Sequence, residues 1–225
     1  MLVAILIKRR IEVAKAKSKA SKKSIVVVPK YSLTKSKQVW LTFDDGPHKK
    51  HTPKALKVLA DQGVKATFFV VGRNVVNAKS LVKEIFDAGH LVSNHSYTHA
   101  NLTSLNKKQI ESEIKKTEDA IGDYMSTPKL FRPPYGARNA TVDQVSQKMK
   151  YKTELWNVDT LDWKKTYQPD RWVQHGIDQI RDRDNSLVLM HDIHKTTVGN
   201  LDDFITRIKS IGNVKFVNGF NPSFT

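Results

Sequence analysis

From Val39 onward, short apolar runs rich in β-branched and aromatic residues alternate with longer segments of helical period, and this alternation constrains the fold more than any other feature of the chain. Parallel strands cannot be joined by tight turns and need a long crossover, usually a helix, so the chain is expected to be α/β. The strand candidates are Val39 to Phe43, Ala66 to Val71, Leu91 to Ser93, Lys129 to Phe131, Leu155 to Val158, Leu187 to Met190 and Val214 to Val217. Between them, apolar residues recur at helical spacing in Ile110, Ile114, Ile121, in Val142, Val145, Met149, in Trp172, Val173, Ile177, Ile180, and in Leu201, Phe204, Ile205, Ile208. Each such stripe can lie on one face of a sheet. Gly63, Gly89 and Gly212 fall where helices should end.

With 225 residues, 39% hydrophobic, the chain is long enough to bury one proper core, and a single folded domain over residues 38–225 is expected behind a basic leader or linker, residues 1–37. Cysteine is absent, which excludes a disulfide framework, a thiolate metal site and a thiol nucleophile. The net charge of +16 would suit a nucleic-acid binder, but its distribution does not: residues 1–37 hold 11 Lys and Arg against the single acid Glu12. The leader also lacks the aromatic interleaving on which bases stack, so no specific nucleic acid is expected as a partner.

The leader opens with the apolar run Met1 to Ile7 followed by Lys8, Arg9 and Arg10. A membrane-spanning helix needs roughly 20 apolar residues, so this run cannot cross a bilayer by itself. A secretory signal would carry its charges before the run, not after it. It reads either as the tail of a longer anchor, which is the preferred expectation and would bring membrane or wall association, or as an N-terminus of no significance. Ala14 to Ser24 has the composition of a solvated linker, and Ile25 to Val28, followed by Pro29, is a candidate edge strand.

The polar residues that call for explanation sit directly after the strand candidates. Asp44 and Asp45 follow the first, His95 the third, Arg132 the fourth, Asp159 the fifth and His191 the sixth. In a (β/α) barrel the strand C-termini open on one face, where these residues would converge. His95 and His99, four residues apart, would share one face of a helical turn and could chelate one ion. No Glu follows His95, so the zinc-protease motif with its built-in base does not apply and a base must come from elsewhere. In Thr42-Phe43-Asp44-Asp45-Gly46-Pro47, adjacent carboxylates at a strand end point in different directions, so one can ligate while the other stays free. Two acids there repel each other unless a cation offsets them.

Arg132-Pro133-Pro134-Tyr135-Gly136 is a segment stiffened by two prolines. Its guanidinium can hold a carboxylate, and a backbone N–H near Tyr135 can meet a developing oxyanion. Asp159-Thr160-Leu161-Asp162-Trp163 supplies an acid and an aromatic wall, and His191 after Leu187 to Met190 could act as an acid if a buried carboxylate raised its pKa.

In this order, Thr42 to Gly46, His95 to His99, Arg132 to Tyr135, Asp159 to Trp163 and Leu189 to His191 resemble the motifs of the polysaccharide deacetylases, the carbohydrate esterase family with the chitooligosaccharide deacetylase homology domain. The resemblance spans Val39 to Val217 and implies a distorted (β/α)7-8 barrel. It implies a divalent metal ion, zinc first with cobalt or nickel as alternatives, held by Asp45, His95 and His99. Asp44 would be the general base, Arg132 its orienting partner and His191 the acid, with Asp159 tuning its charge. Tyr135, Trp163 and Leu189 would wall the acetyl pocket. His191-Asp192-Ile193-His194 followed by threonines is most similar to the Gram-positive peptidoglycan N-acetylglucosamine deacetylases. The expected partner is therefore a glycan, the expected place of action extracytoplasmic, and the expected state a monomer. Chitooligosaccharide deacetylation and acetylxylan esterase activity are rival readings, and a non-catalytic cationic glycan- or nucleic-acid-binding protein is the reading from another class. At the far end, Asn218 to Thr225 reads as turn and coil where a closing helix is usual in the family.

Overall fold

A computed structural model describes residues 36–218. Nearly all of the leader, including the candidate strand Ile25 to Val28, and residues 219–225 lie outside the described residues. In chain order the regular elements are β1 Lys37–Asp44, α1 Thr52–Asp61, β2 Thr67–Val70, α2 Gly72–Asn77, α3 Lys79–Asp87, β3 Leu91–Asn94, α4 Lys107–Ile121, β4 Leu130–Phe131, α5 Ala140–Lys148, β5 Lys152–Thr153, β6 Val158–Asp159, α6 Arg171–Arg181, β7 Asn185–His191, α7 Lys195–Ser210 and β8 Val214–Val217. Among the described residues, no helix is long and apolar enough to cross a membrane.

All the strand pairs are parallel, in the order β5-β4-β3-β2-β1-β7-β6. β1 is the axis of the sheet. β7 runs along one edge of it from Gln38 to Asp44, while the other edge is divided between β8, at Lys37 to Trp40, and β2, at Thr42 to Asp44. No ladder joins β5 to β6 among the described residues, so the sheet curls into a barrel that stays open there. This is the distorted (β/α) barrel that the family resemblance implies, built on the α/β alternation read from the sequence.

The pleat of β1 explains both layers of the core. Successive strand residues face opposite sides. Val39, Leu41 and Phe43 enter the large cluster under the helices, with Leu59, Ile85, Ile177, Leu201 and Phe204. Trp40 faces the other way and packs with Phe69, Leu130 and Leu187 inside the barrel. Thr42 and Asp44 continue that inward row, so β1 carries an apolar plug at its start and a carboxylate at its end. The helical stripes of α4, α5, α6 and α7 are buried as their periodicity requires.

Two strand expectations need correction. The fifth candidate, Leu155 to Val158, is reduced to β6, and a further strand, β5, precedes it. The carbonyls of Glu154 and Leu155 do not join a ladder because the Arg132 guanidinium takes both, at 3.1 and 2.6 Å. A two-residue strand such as β5 carries too little periodicity to be seen in a sequence.

Candidate metal centre and active site

Asp44 is the last residue of β1 and is almost fully buried. Arg132, wholly buried beyond β4, donates from one terminal nitrogen to Asp44 Oδ1 and Thr42 Oγ1, both at 2.7 Å. With the two carbonyl contacts described above, every side of the guanidinium is used, and it lies over the Phe69 ring at 4.1 Å. The arginine expected to hold a carboxylate therefore holds Asp44, one oxygen of which remains directed at the histidines, 3.6 Å from His95 Nε2.

Asp45 leaves the strand. Its backbone is left-handed, φ 72°, and its carbonyl is pinned by the Asn74 side chain at 2.8 Å. That turn is why adjacent carboxylates diverge. Gly46 follows because nothing larger fits: a Cβ there would come within 2.5 Å of Asp192 Oδ1. Asp192 is itself buried, accepts a short hydrogen bond from the Thr52 hydroxyl, and is pushed up to about 7, chiefly by burial. Thr52 Oγ1 in turn accepts from His48 N at 2.7 Å, so the end of β7, the Gly46-Pro47 turn and the start of α1 form one packed unit.

His95 and His99 meet without the expected helical turn. Residues 95–100 are irregular, and Ser96 and His99 are left-handed, φ 63° and 62°. Side chains compete successfully for the N–H groups here. Asn94 Oδ1 accepts from Ser96 N at 2.9 Å, and Glu113 of α4 accepts from Tyr97 N and Thr98 N at 2.9 and 2.8 Å. Glu113 was not legible as a site residue, because within α4 it is one more surface acid. Its helix is fixed at the start by a reciprocal cap between Asn106 and Gln109.

The donor set fits a metal ion. One ligand atom from each of Asp45, His95 and His99 lies within 4.8 Å of the others. Asp45 Oδ1 is 3.4 Å from His95 Nε2 and 3.0 Å from His99 Nε2, and it is a buried oxygen with no hydrogen-bond partner among the described residues. His95 Nδ1 donates to the Arg132 carbonyl at 2.7 Å. A carbonyl can only accept, so Nδ1 carries the proton and the Nε2 lone pair faces the cluster, as ligation requires. Burial pushes the Asp45 carboxyl up, but the proximity of the His95 and His99 imidazoles outweighs it and holds it well below the usual range. The three residues can thus hold one divalent cation. Two imidazoles and a carboxylate with room for a further ligand suit zinc.

The tuning acid is where the structure departs from expectation. Asp162, not Asp159, bonds His191: its Oδ1 is 2.9 Å from Nδ1, and its Oδ2 accepts from His191 N at 2.8 Å and from Thr197 Oγ1 at 2.7 Å. Burial opposes a charged imidazole, yet Asp162 prevails and pushes His191 up to about 9. Asp159 instead caps its own turn, accepting from Leu161 N at 2.9 Å, and lines the cleft. The segment has two acids three apart, and only the path of the chain after β6 decides which is buried under the histidine.

Asp44, Asp45, His95, His99, Tyr135, Asp159, Trp163, Leu189 and His191 line one cleft of about 450 Å³, so every candidate residue except Arg132 reaches it directly. Arg132 does not line the cleft but bonds Asp44, which does. Tyr135 is 68% exposed, left-handed at φ 62°, and edge-on to the His99 ring at 4.7 Å. Trp163, 48% exposed, also lines the cleft, as does the buried Leu189. Trp156 is a further wall that the sequence motifs do not include. It fits because Gly136, φ 64°, has no side chain: a Cβ there would lie 2.9 Å from the indole.

The chain matches the polysaccharide deacetylase family over residues 32–153. It is 39% identical over 203 residues to the peptidoglycan-N-acetylglucosamine deacetylase PgdA of Listeria monocytogenes, covering 89% of this chain but only 42% of that protein. It is 33% identical over 189 residues to the peptidoglycan-N-acetylmuramic acid deacetylase PdaA of Bacillus subtilis, covering 80% of this chain and 69% of that one. A family 4 carbohydrate esterase from Streptomyces lividans, solved with acetate, superposes with a TM-score of 0.73 at 37% identity, over 84% of this chain and 95% of that one. The chain belongs to the polysaccharide deacetylase family.

Proposed function

We propose that the protein is a metal-dependent hydrolase that removes N-acetyl groups from amino sugars of a glycan, with peptidoglycan N-acetylglucosamine as the substrate. The observation that carries this reading is the gathering of an Asp-His-His cluster, an arginine-held carboxylate and an aspartate-held histidine around one cleft. The similarity to PgdA supports the choice of sugar. Peptidoglycan lies outside the cell membrane, so the place of action is extracytoplasmic. Residues 38–225 form the catalytic domain in this reading.

A divalent ion held by Asp45, His95 and His99 supplies Lewis-acid polarisation of the acetamide carbonyl and acidifies the attacking water. Asp44 takes the proton from that water, held in position by the Arg132 guanidinium. As the carbonyl carbon becomes tetrahedral, the Tyr135 N–H meets the developing oxyanion. His191, protonated at neutral pH, gives its proton to the sugar nitrogen, and the C–N bond breaks to leave acetate and a free amine. Trp163, Tyr135, Leu189 and Trp156 enclose the acetyl group and exclude water.

Digestion of purified wall glycan, with acetate assayed and mass spectrometry identifying the sugar that loses 42 Da (roughly one acetyl replaced by hydrogen, by the amide-hydrolysis stoichiometry above), tests the assignment. Release should require metal and disappear in Asp44→Ala; activity retained in that variant overturns the mechanism.

A further inference from the structure

The cleft continues past the metal ligands. Asp45 and His99 also line a second hollow of about 290 Å³, together with His48, Arg73, Asn74 and Ile193. His48, Asn74 and Ile193 then pass into a third hollow, of about 450 Å³, whose rim carries Lys49 and Lys50. Shared lining residues thus link the three hollows in sequence, with the metal ligands Asp45 and His99 between the first and the second.

The far end of this series is cationic. Among the described residues, no acid lines the third hollow and the only acid in the second is Asp45, which the metal would claim. Arg73, Lys49 and Lys50 are exposed, and among the described residues none of their side chains is in an ion pair. Elsewhere on the surface, Lys57, Lys83 and Lys115 each have an aspartate one helical turn on. A guanidinium beside a hollow, with no carboxylate of its own protein to bind, is suited to paired hydrogen bonds with a carboxylate from elsewhere.

We propose that these two hollows form an anion subsite, in which Arg73 with Lys49 and Lys50 binds a carboxylate carried by the glycan on a residue adjoining the one being deacetylated. This rests on the deacetylase reading and extends it to substrate choice. Peptidoglycan strands carry such groups, on the lactyl ether of alternate sugars where no peptide is attached and on the peptide where one takes up that carboxyl as an amide, whereas chitin oligomers carry none. The subsite therefore selects wall glycan over chitin.

The test compares acetate release by the metal-loaded protein from chitooligomers, peptide-free wall strands with free lactyl carboxyls, the same strands methylamidated, and strands that keep their peptides. The expected kcat/KM on carboxylate-bearing strands is on the order of tenfold that on chitooligomers, as a charge-assisted bond can supply, and arises through KM. Arg73→Gln, and separately the pair Lys49→Gln and Lys50→Gln, should lower that ratio toward one, as should added salt. Loss of the advantage on methylamidation assigns the lactyl carboxyl; an advantage confined to peptide-bearing strands assigns the peptide. An advantage that persists on methylamidated peptide-free strands, or a ratio untouched by both sets of variants, overturns the subsite while the activity stands. No acetate from any of the four overturns the activity and the subsite with it.

Discussion

Asp162 grips His191 at two points, with Oδ1 2.9 Å from the ring Nδ1 and Oδ2 accepting from the backbone N–H at 2.8 Å. The imidazole is thereby oriented with Nε2 toward the cleft and kept protonated up to about pH 9. If His191 is the acid, kcat should fall on the alkaline side with a midpoint near 9. Asp162→Asn should move that limb down by about two units, toward the ordinary histidine range. A kcat–pH profile with an unmoved limb would remove His191 from the acid role.

The same pair makes a stability prediction. The folded pKa of His191 is raised above the unfolded value of about 6.5, so its contribution is complete below that pH and is lost as pH rises through about 9. Urea unfolding should show the wild-type advantage over Asp162→Asn shrinking across that window, from at most about 3 kcal/mol.

Arg132 makes four side-chain hydrogen bonds from a fully buried position. Lysine keeps the charge but cannot reproduce the planar fork. Arg132→Lys should cost about 3 kcal/mol in denaturant titration, because Asp44 and two carbonyls lose their partners. Its kcat should drop on the order of a hundredfold, since the base is no longer held in register.

Gly46 and Asp192 should be energetically coupled. Gly46→Ala places a methyl 2.5 Å from Asp192 Oδ1 and should destabilise by about 1–3 kcal/mol while weakening zinc binding, measured by calorimetry, because Asp45 moves with the turn. In the Asp192→Ala background the added methyl should cost much less. Additivity in that cycle would mean that the contact does not hold the turn.

Removal of metal with a chelator should abolish acetate release and lower the melting temperature, and zinc at about a hundred times its Kd should restore about 2.7 kcal/mol. Asp45→Ala and His99→Ala should show no such shift in a thermal melt. Cobalt and nickel should also restore activity, since the donor set does not exclude them.

The sequence by itself determined the α/β alternation, the buried stripes of the helices and the strand-end positions of Asp44, Asp45, His95, Arg132 and His191, because hydrophobic period and chain order are local properties. It also held the metal ligands as a motif. Only the tertiary structure decided what depends on where the chain goes next. It chose Asp162 over Asp159, because the turn after β6 buries one acid beneath His191 and leaves the other in the cleft wall. It replaced the helical turn with left-handed residues, because Asn94 and Glu113 take the N–H groups of that loop. It also brought Arg73 of α2 and Lys49 and Lys50 of the turn before α1 around hollows linked through shared lining residues to the metal ligands, an arrangement that no spacing in the sequence encodes.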